Sequence, residues 1–309
     1  MINTNKNLLV SIIIPTYNGS ESILKAINSV LNQTYSKIEV IVVDDYSGDD
    51  TVRLVSKIKD ERVKLLKHDE NKGGSAARNT GTKASKGQYI AFLDDDDEWL
   101  PGKLENQIKH LEEKDSSLWK AVLCGHNIIS KNHSRQVILK KEGNLTLDIL
   151  LMQLSLAAGS TLIIRRDVID EIGLFDESYV RHQDLEFLLR YLREFKIAVV
   201  GEPLVNIYRY GSHVSGDSLI LIKKKFLKDF NKDIMKFGRK TSRKIFARHW
   251  LQVSKQYSLE GDVSKTIKYL FKSLSYAVLF SKRYKIMILE NYIALPYHLL
   301  KGFINKYRK

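Results

Sequence analysis

Four consecutive carboxylates, Asp94 to Asp97, follow directly on the apolar stretch "AFL". Like charges this close repel, and each favours water. Two chemistries would explain them. They could hold a hard divalent cation, which takes oxygen ligands. Or they could form an acidic N-terminus for the helix that starts near Pro101, a role that suits Asp97 and Glu98 and explains Asp94 poorly. Two further polar clusters close apolar runs in the same way. Pro15, Thr16, Tyr17 and Asn18 end "LLVSIIIP", and Asp44 and Asp45 end "IEVIVVDD".

The elements that position these clusters follow from the hydrophobic pattern. Continuous apolar runs at 8–15, 38–43 and 88–93, with "RVKLLKH" between the last two, read as strands buried on both faces. Amphipathic stretches separate them: one from about Ser20 with Ile23, Ile27, Val30 and Leu31 on one face, one capped by Asp50 or Thr51, and "GGSAARNTGTKAS". This alternation predicts a parallel sheet with helices on both faces. Ligands bind beyond the carboxyl ends of such strands, so one rim collects all three polar clusters. "PTYNGSES" lacks both the dinucleotide fingerprint and a phosphate-binding loop. Carboxylates there repel a diphosphate unless a cation lies between them. Mg²⁺ or Mn²⁺ holding a nucleotide diphosphate is the reading that accounts for Asp94.

Beyond residue 100 the pattern loosens. "PGKLENQIKHLEE" reads as a helix with Pro101 in its first turn, "AVLCGHNIIS" and "TLIIRR" as strands, "HQDLEFLLRYLREF" as a helix, and "IAVVGE" and "LVNIYRYG" as two short strands. From residue 217 the pattern is all helical. "RHWLQVSKQYSLEGDVSKTIKYLFKSL" reads as two helices around a Gly-Asp turn, faintly like one tetratricopeptide unit. The division is therefore 1–216 for an α/β body (nucleotide half 1–97, acceptor half 98–216) and 217–309 for a helical end.

Charge follows the same boundary. Residues 217–309 carry 22 Lys+Arg against 6 Asp+Glu, a balance of +16, whereas 1–216 is near neutral at −2. Basic helices interleaved with Phe, Trp and Leu suit an anionic membrane surface or a plain solvated face. No recognised nucleic-acid module accompanies them. The single cysteine, Cys124, excludes an intrachain disulfide and fits a reducing compartment. No apolar run reaches the ~20 residues of a membrane span, and the N-terminus reads as a strand rather than a signal peptide. A cytoplasmic protein, peripheral on the inner face of the membrane, is expected.

The stretches "SIIIPTYNGSESILKAINSVLNQTYSKIEVIVVDDYSGDDT" and "NKGGSAARNTGTKASKGQYIAFLDDDDEWLP", with "GSTLIIRRDVIDEIGLFDE", "RHQDLEFLLR" and "LVNIYRYGSHVS", resemble family 2 glycosyltransferases of the GT-A fold. The resemblance covers roughly the first two thirds of the chain and does not reach the helical end. It implies a Rossmann-like sheet sandwiched by helices and an inverting, metal-dependent hexosyl transfer. The donor would be a nucleotide-sugar, of the UDP-sugar class, and the acceptor a glycan or lipid-linked hydroxyl in bacterial surface polysaccharide synthesis. It further implies that Pro15, Tyr17, Asn18 and Asp45 hold uracil and ribose, with Arg78 near the nucleotide. The Asp-x-Asp signature falls on Asp94-Asp95-Asp96, with Asp96 as metal ligand, Asp95 at ribose or metal-bound water, and Asp94 orienting the site. Asp184 is the implied catalytic base, with Glu186 behind it, and His213 a second metal ligand. The competing reading from another class is a catalytically degenerate body serving as a peripheral membrane or interaction protein. The joint presence of Asp45, Asp94–Asp96 and Asp184 argues against it.

Overall fold

The computed structural model describes residues 8–131, 133–209 and 214–277. They fall into two compact units, one of residues 8–146 and 154–209, the other of 147–153 and 214–277.

The first unit opens with the expected alternation: β1 (Val10–Thr16), α1 (Ile23–Leu31), β2 (Ile38–Asp44), α2 (Thr51–Val55), β3 (Val63–Lys67), α3 (Gly74–Ala84) and β4 (Tyr89–Phe92). β5 (Glu98–Trp99), α4 (Lys103–Glu112), β6 (Trp119–Ser130) and β7 (His133–Val137) follow, and then α5 (Thr146–Leu150), which after Thr146 belongs to the second unit. Next come α6 (Ala158–Thr161), β8 (Ile163–Arg165), α7 (Asp167–Ile172), α8 (Gln183–Tyr191) and β9 (Lys196–Tyr208).

Every residue of β1 and β2 is buried, as two-sided burial requires. Each fully buried Val or Ile contributes about 1.5–3 kcal/mol. β2 and β4 flank β1 in parallel, and β3 extends the set beyond β2. The register pairs Thr16 with Asp44 and Ile13 with Phe92, so the carboxyl ends of β1, β2 and β4 reach one rim. α3 packs tightly on this sheet. A Cβ on its Gly81 would come within 2.5 Å of Ile13 Cγ2.

Beyond β4 the sheet turns mixed. The strand order is β3-β2-β1-β4-β8-β6-β9-β5, with β7 beside β6. β8 runs antiparallel to β4 and β6. Three local expectations change. The two short strands predicted after residue 195 are one strand, β9. Its ladder with β6 shifts register around Gly125, with the extra residues in β9, and so passes Pro203, which has no N–H to donate. Asp50 is the N-cap residue of α2, as expected, but its carboxylate pairs with Arg53, and the side chain that accepts from Thr51 N, at 3.0 Å, is that of Asp49. Pro101 precedes α4, whose N-cap is the left-handed Gly102.

The second unit is helical: α9 (Gly216–Asp229), α10 (Asn231–Met235), α11 (Gly238–Glu260) and α12 (Val263–Ala277). The Gly-Asp turn falls where expected, with Gly261 left-handed at φ 79° closing α11. Buried serines let α11 and α12 approach: Ser254 donates to Thr266 O at 2.8 Å and Ser273 to Ala247 O at 2.7 Å. No helix among the described residues is long and apolar enough to cross a membrane.

The β6–β9 crossing makes a testable demand on Gly125. A Cβ there would meet three backbone carbonyls, those of Gly201, Val137 and Glu202, at 2.5, 2.6 and 2.8 Å. Backbone held in a ladder cannot step aside as a side chain can. Gly125→Ala should destabilise the protein by about 1–3 kcal/mol, read as a lowered thermal midpoint. An unchanged midpoint would refute this account of the crossing.

Candidate active site

A cavity of about 240 Å³ opens at the carboxyl ends of β1, β2 and β4. Pro15, Thr16 and Tyr17 line it from β1, Asp45 from β2, Arg78 from α3, and Asp94, Asp95 and Asp96 from the turn after β4. Gln183, next to Asp184, closes it from α8. Sequence clusters dozens of residues apart thus share one hollow. A larger hollow of about 620 Å³, between α4 and β9, contains none of these residues.

The carboxylate turn is held from three sides. Thr16 Oγ1 donates to Asp95 at 2.5 Å, and the Arg78 guanidinium pairs with Asp94. Ser160, in α6, does two jobs. Its hydroxyl donates to Asp97 Oδ2 at 2.5 Å and accepts from Asp94 N at 3.1 Å. Trp99 Nε1 in turn donates to Ser160 O at 2.8 Å. Asp97 also accepts from Tyr208 N at 3.2 Å and is only 3% exposed. It therefore faces inward, while Asp94–Asp96 face the cavity. The acidic-cap reading fails, because no side chain caps α4 and Glu98 accepts from Asn206 and Tyr208 instead.

Asp96 makes no side-chain hydrogen bond to another described residue. Burial, then repulsion from Asp94, raises its pKa. Burial and the neighbouring Asp96 and Asp94 push Asp95 up to about 6, against the bond from Thr16. Asp97 is raised well above the carboxylate range by burial and by Asp94. Glycines let the carboxylates sit this deep: a Cβ on Gly159 would come within 2.6 Å of Asp94 Oδ2, and one on Gly19 would collide with Asp95.

At the β1–β2 side, two loops are laced together. Asp45 N donates to Thr16 O, Asn18 N to Ser47 Oγ, and Gly48 N to Asn18 Oδ1, each at 2.8 Å. Asn18 is thus engaged in the loop and is not among the cavity-lining residues. The Asp45 carboxylate accepts from Lys72 N at 2.8 Å and Gly73 N at 2.7 Å, and lies 2.7 Å from His68 Nδ1. A carboxylate only accepts, so Nδ1 carries a proton, and Nε2 lies 2.9 Å from Thr80 Oγ1. Asp44 accepts from Ser47 N at 3.1 Å and turns its other oxygen into the protein. Tyr17 and Tyr46 stand out from these loops at 53% and 59% exposure.

Asp184 is the second residue of α8, inside the first turn. The cap position belongs to His182, left-handed at φ 64°. Its Oδ1 accepts from Leu185 N at 2.9 Å. Burial raises its pKa, with Asp94 adding and Arg78 opposing, so the three charges share one neighbourhood. α3 also fixes the approach to α8. Asn79 donates to Phe175 O and accepts from Phe175 N, both at 3.0 Å, and Ser75 donates to Tyr179 O at 3.3 Å. Glu186 pairs with Arg190 at 2.5 Å, and Arg190 donates to Leu174 O at 2.7 Å, so Glu186 braces the segment ahead of α8. His126 is buried with its Nε2 3.3 Å from Ser155 Oγ, and burial with Arg209 and Arg135 lowers its pKa to about 4.

His213 lies outside the described residues, and among the described ones no three His, Cys, Asp or Glu side chains are grouped to hold a metal. Sequence reasoning placed Thr16 on the rim without a role and overlooked His68, Asn79, Gly159 and Ser160. "GST" stands within a stretch quoted for the family resemblance, the only signal that pointed to the last two.

Residues 11–173 match the family described as Glycosyl transferase family 2. An uncharacterized glycosyltransferase of Rickettsia prowazekii is 37% identical over 216 residues, 68% of this chain and 67% of that protein. The Escherichia coli UDP-Glc:alpha-D-GlcNAc-diphosphoundecaprenol beta-1,3-glucosyltransferase WfaP is 49% identical over 104 residues, 34% of this chain and 41% of that one. Among solved structures, S. aureus TarS 1–349 in complex with UDP-GlcNAc superposes with a TM-score of 0.66 at 21% identity, over 96% of this chain and 89% of that one, a likeness of fold. The chain belongs to glycosyl transferase family 2, and its first unit has the GT-A fold of that family.

Proposed function

We propose that this protein is an inverting hexosyltransferase that moves a sugar from a UDP-sugar to a hydroxyl of a lipid-linked glycan in bacterial surface polysaccharide synthesis. The observation that carries this reading is the convergence of Asp45, Arg78 and Asp94–Asp96 on one cavity beside Asp184. The names of WfaP, a UDP-glucose enzyme with a diphosphoundecaprenol acceptor, and of TarS, solved with UDP-GlcNAc, support the choice of donor and acceptor class.

The residues divide the work by chemistry. Tyr17 offers an exposed ring to the uracil, and Asp45, fixed by Lys72 and Gly73, an acceptor to its imide N–H. Arg78 lines the same cavity while paired with Asp94, and would lend its charge to the diphosphate from there. Asp96, with no competing side-chain partner, fits a Mg²⁺ or Mn²⁺ shared with the donor. Asp94 and Asp95, crowded against it, would gain from the same charge. Magnesium is customarily held by one or two carboxylates plus substrate phosphates, so no three-residue cluster is needed. When bound, the ion supplies Lewis-acid stabilisation of the departing diphosphate.

Asp184 takes the proton of the acceptor hydroxyl as its oxygen bonds to the anomeric carbon. The bond from that carbon to the UDP oxygen breaks in the same displacement, which inverts the centre and leaves UDP. One carboxylate suffices, because no glycosyl-enzyme intermediate forms. The raised pKa of Asp184 suits a base that must hold a proton at the end of the step. The balance of +16 in residues 217–309 suits attachment to the anionic inner face of the membrane, where a lipid-linked acceptor resides.

Three measurements test the reading. Calorimetry of UDP with Mn²⁺ and again with EDTA should show at least tenfold weaker binding in EDTA; equal affinities would exclude the metal. Asp184→Asn keeps shape but cannot take the proton, so turnover should fall ~10²–10⁴-fold while UDP affinity holds. Normal turnover in that variant would remove Asp184 as the base. Ser160→Ala strips a buried carboxylate of a hydrogen bond and should cost about 1–3 kcal/mol of stability, with UDP–Mn²⁺ binding weakened through displacement of the Asp94–Asp97 turn. Wild-type stability and binding would show that Ser160 does not organise the turn.

A further inference from the structure

The second unit contains a hollow of about 340 Å³ that the transfer reaction does not use. Lys224 and Lys228 line it one helical turn apart on α9, with Asn231 following on α10. Phe246 and Trp250 of α11 and Tyr276 of α12 form an aromatic wall. Phe246 and Tyr276 stack at 5.3 Å, and Lys272 lays its Nζ 3.5 Å from the centre of the Trp250 ring. Trp250 is 5% exposed, and its indole N–H is buried without an acceptor among the described residues.

Some lysines of the unit are paired and others are not. Lys225, Lys236 and Lys265 pair with Asp229, Asp233 and Asp217 at 2.8, 3.0 and 2.9 Å. Lys224, Lys228, Lys268 and Lys272 have no carboxylate within 4 Å among the described residues, and no acid lines the hollow. Burial first, then Lys224 and Lys268, lowers the pKa of Lys272. A solvated face spreads its lysines into water. Lys224 and Lys228 line a ring-walled cavity and Lys272 lies against its Trp250 wall, so an anion there would meet three positive charges and an attached apolar or sugar portion would rest on the rings.

We propose that this hollow is a second ligand site, for an organic phosphate whose phosphoryl group is held by Lys224, Lys228 and Lys272 and whose carbon portion packs on Phe246, Trp250 and Tyr276. The phosphate could be borne by a lipid or by a soluble sugar. Full-length protein in EDTA and low salt, titrated calorimetrically with farnesyl phosphate and with glucose 1-phosphate, separates the two sources. At least one probe should bind, and the tighter one names the source. Lys224→Gln/Lys272→Gln should weaken that binding tenfold or more and abolish the rise in thermal midpoint that the probe gives the wild type. Lys224→Arg/Lys272→Arg should keep it within about threefold, since guanidinium also binds phosphate. UDP–Mn²⁺ affinity, which reports on the first unit, should stay unchanged in both variants, so the two proposals fail separately. If neither probe binds, or if the Gln pair binds like wild type, the hollow is not a phosphate site. If the Gln pair misfolds, loss of binding in the folded Arg pair would overturn the proposal equally.

Discussion

Crowding four carboxylates into one turn is the constraint around which the first unit is built. Asp94 to Asp97 follow the fully buried β4, so the chain delivers them to the rim with no choice of distance. Each is given a different outlet. Asp94 takes the charge of Arg78, Asp95 the hydroxyl of Thr16, and Asp97 the hydroxyl of Ser160 with the amide of Tyr208. Asp96 alone keeps its oxygens free of neighbouring side chains. An isolated buried charge is costly without partners, and the partners here come from β1, α3, α6 and β9. The turn is thus held by most of the unit rather than by its own sequence.

α3 is where this arrangement is coordinated. It is short of large side chains, reading "GSAARNTGTKA", and it lies close on the sheet because Gly81 leaves room for Ile13. The adjacent residues Arg78 and Asn79 reach different parts of the site. Arg78 neutralises Asp94, and Asn79 clasps the backbone at Phe175 on the way to α8. The Asp94–Asp97 turn and the segment leading to Asp184 are both tied to one helix. A helix packed this closely has little freedom to shift, so both are anchored before any substrate arrives.

Much of this was legible in the sequence, and the reasons are physical. β1, β2 and β4 are apolar runs that stop at polar clusters, so both the strands and the rim can be read from hydrophobicity alone. Parallel topology then brought Tyr17, Asp45 and Asp94–Asp96 together without any knowledge of contacts. What escaped were residues whose importance is purely tertiary. Ser160 and Gly159 look like ordinary small residues until α6 docks against the carboxylate turn. Asn79 reads as a helix surface residue. Pro203 reads as a strand break, because only the pairing with β6 shows that the residues before it are extra residues of one continuous strand. Asp49 and Asp50 are equivalent by type, and only the local backbone decides whose carboxylate accepts from Thr51 N. Asn18, assigned to the nucleotide, is occupied in lacing two loops.

The continuity of β9 has a consequence for how such proteins can be recombined. Its far end reaches the carboxylate turn through Tyr208 and pairs with β5 through Asn206 and Val205. The same strand runs beside β6 along the other half of the sheet. The portion that would choose the donor and the portion that would choose the acceptor are therefore stitched through a shared strand. A chimera joined at residue 97 would set one parent's aspartates against another parent's Ser160 and Tyr208. Exchange of specificity between relatives requires that 94–99, 158–161 and 205–208 travel as one cassette, although more than a hundred residues separate the first from the last.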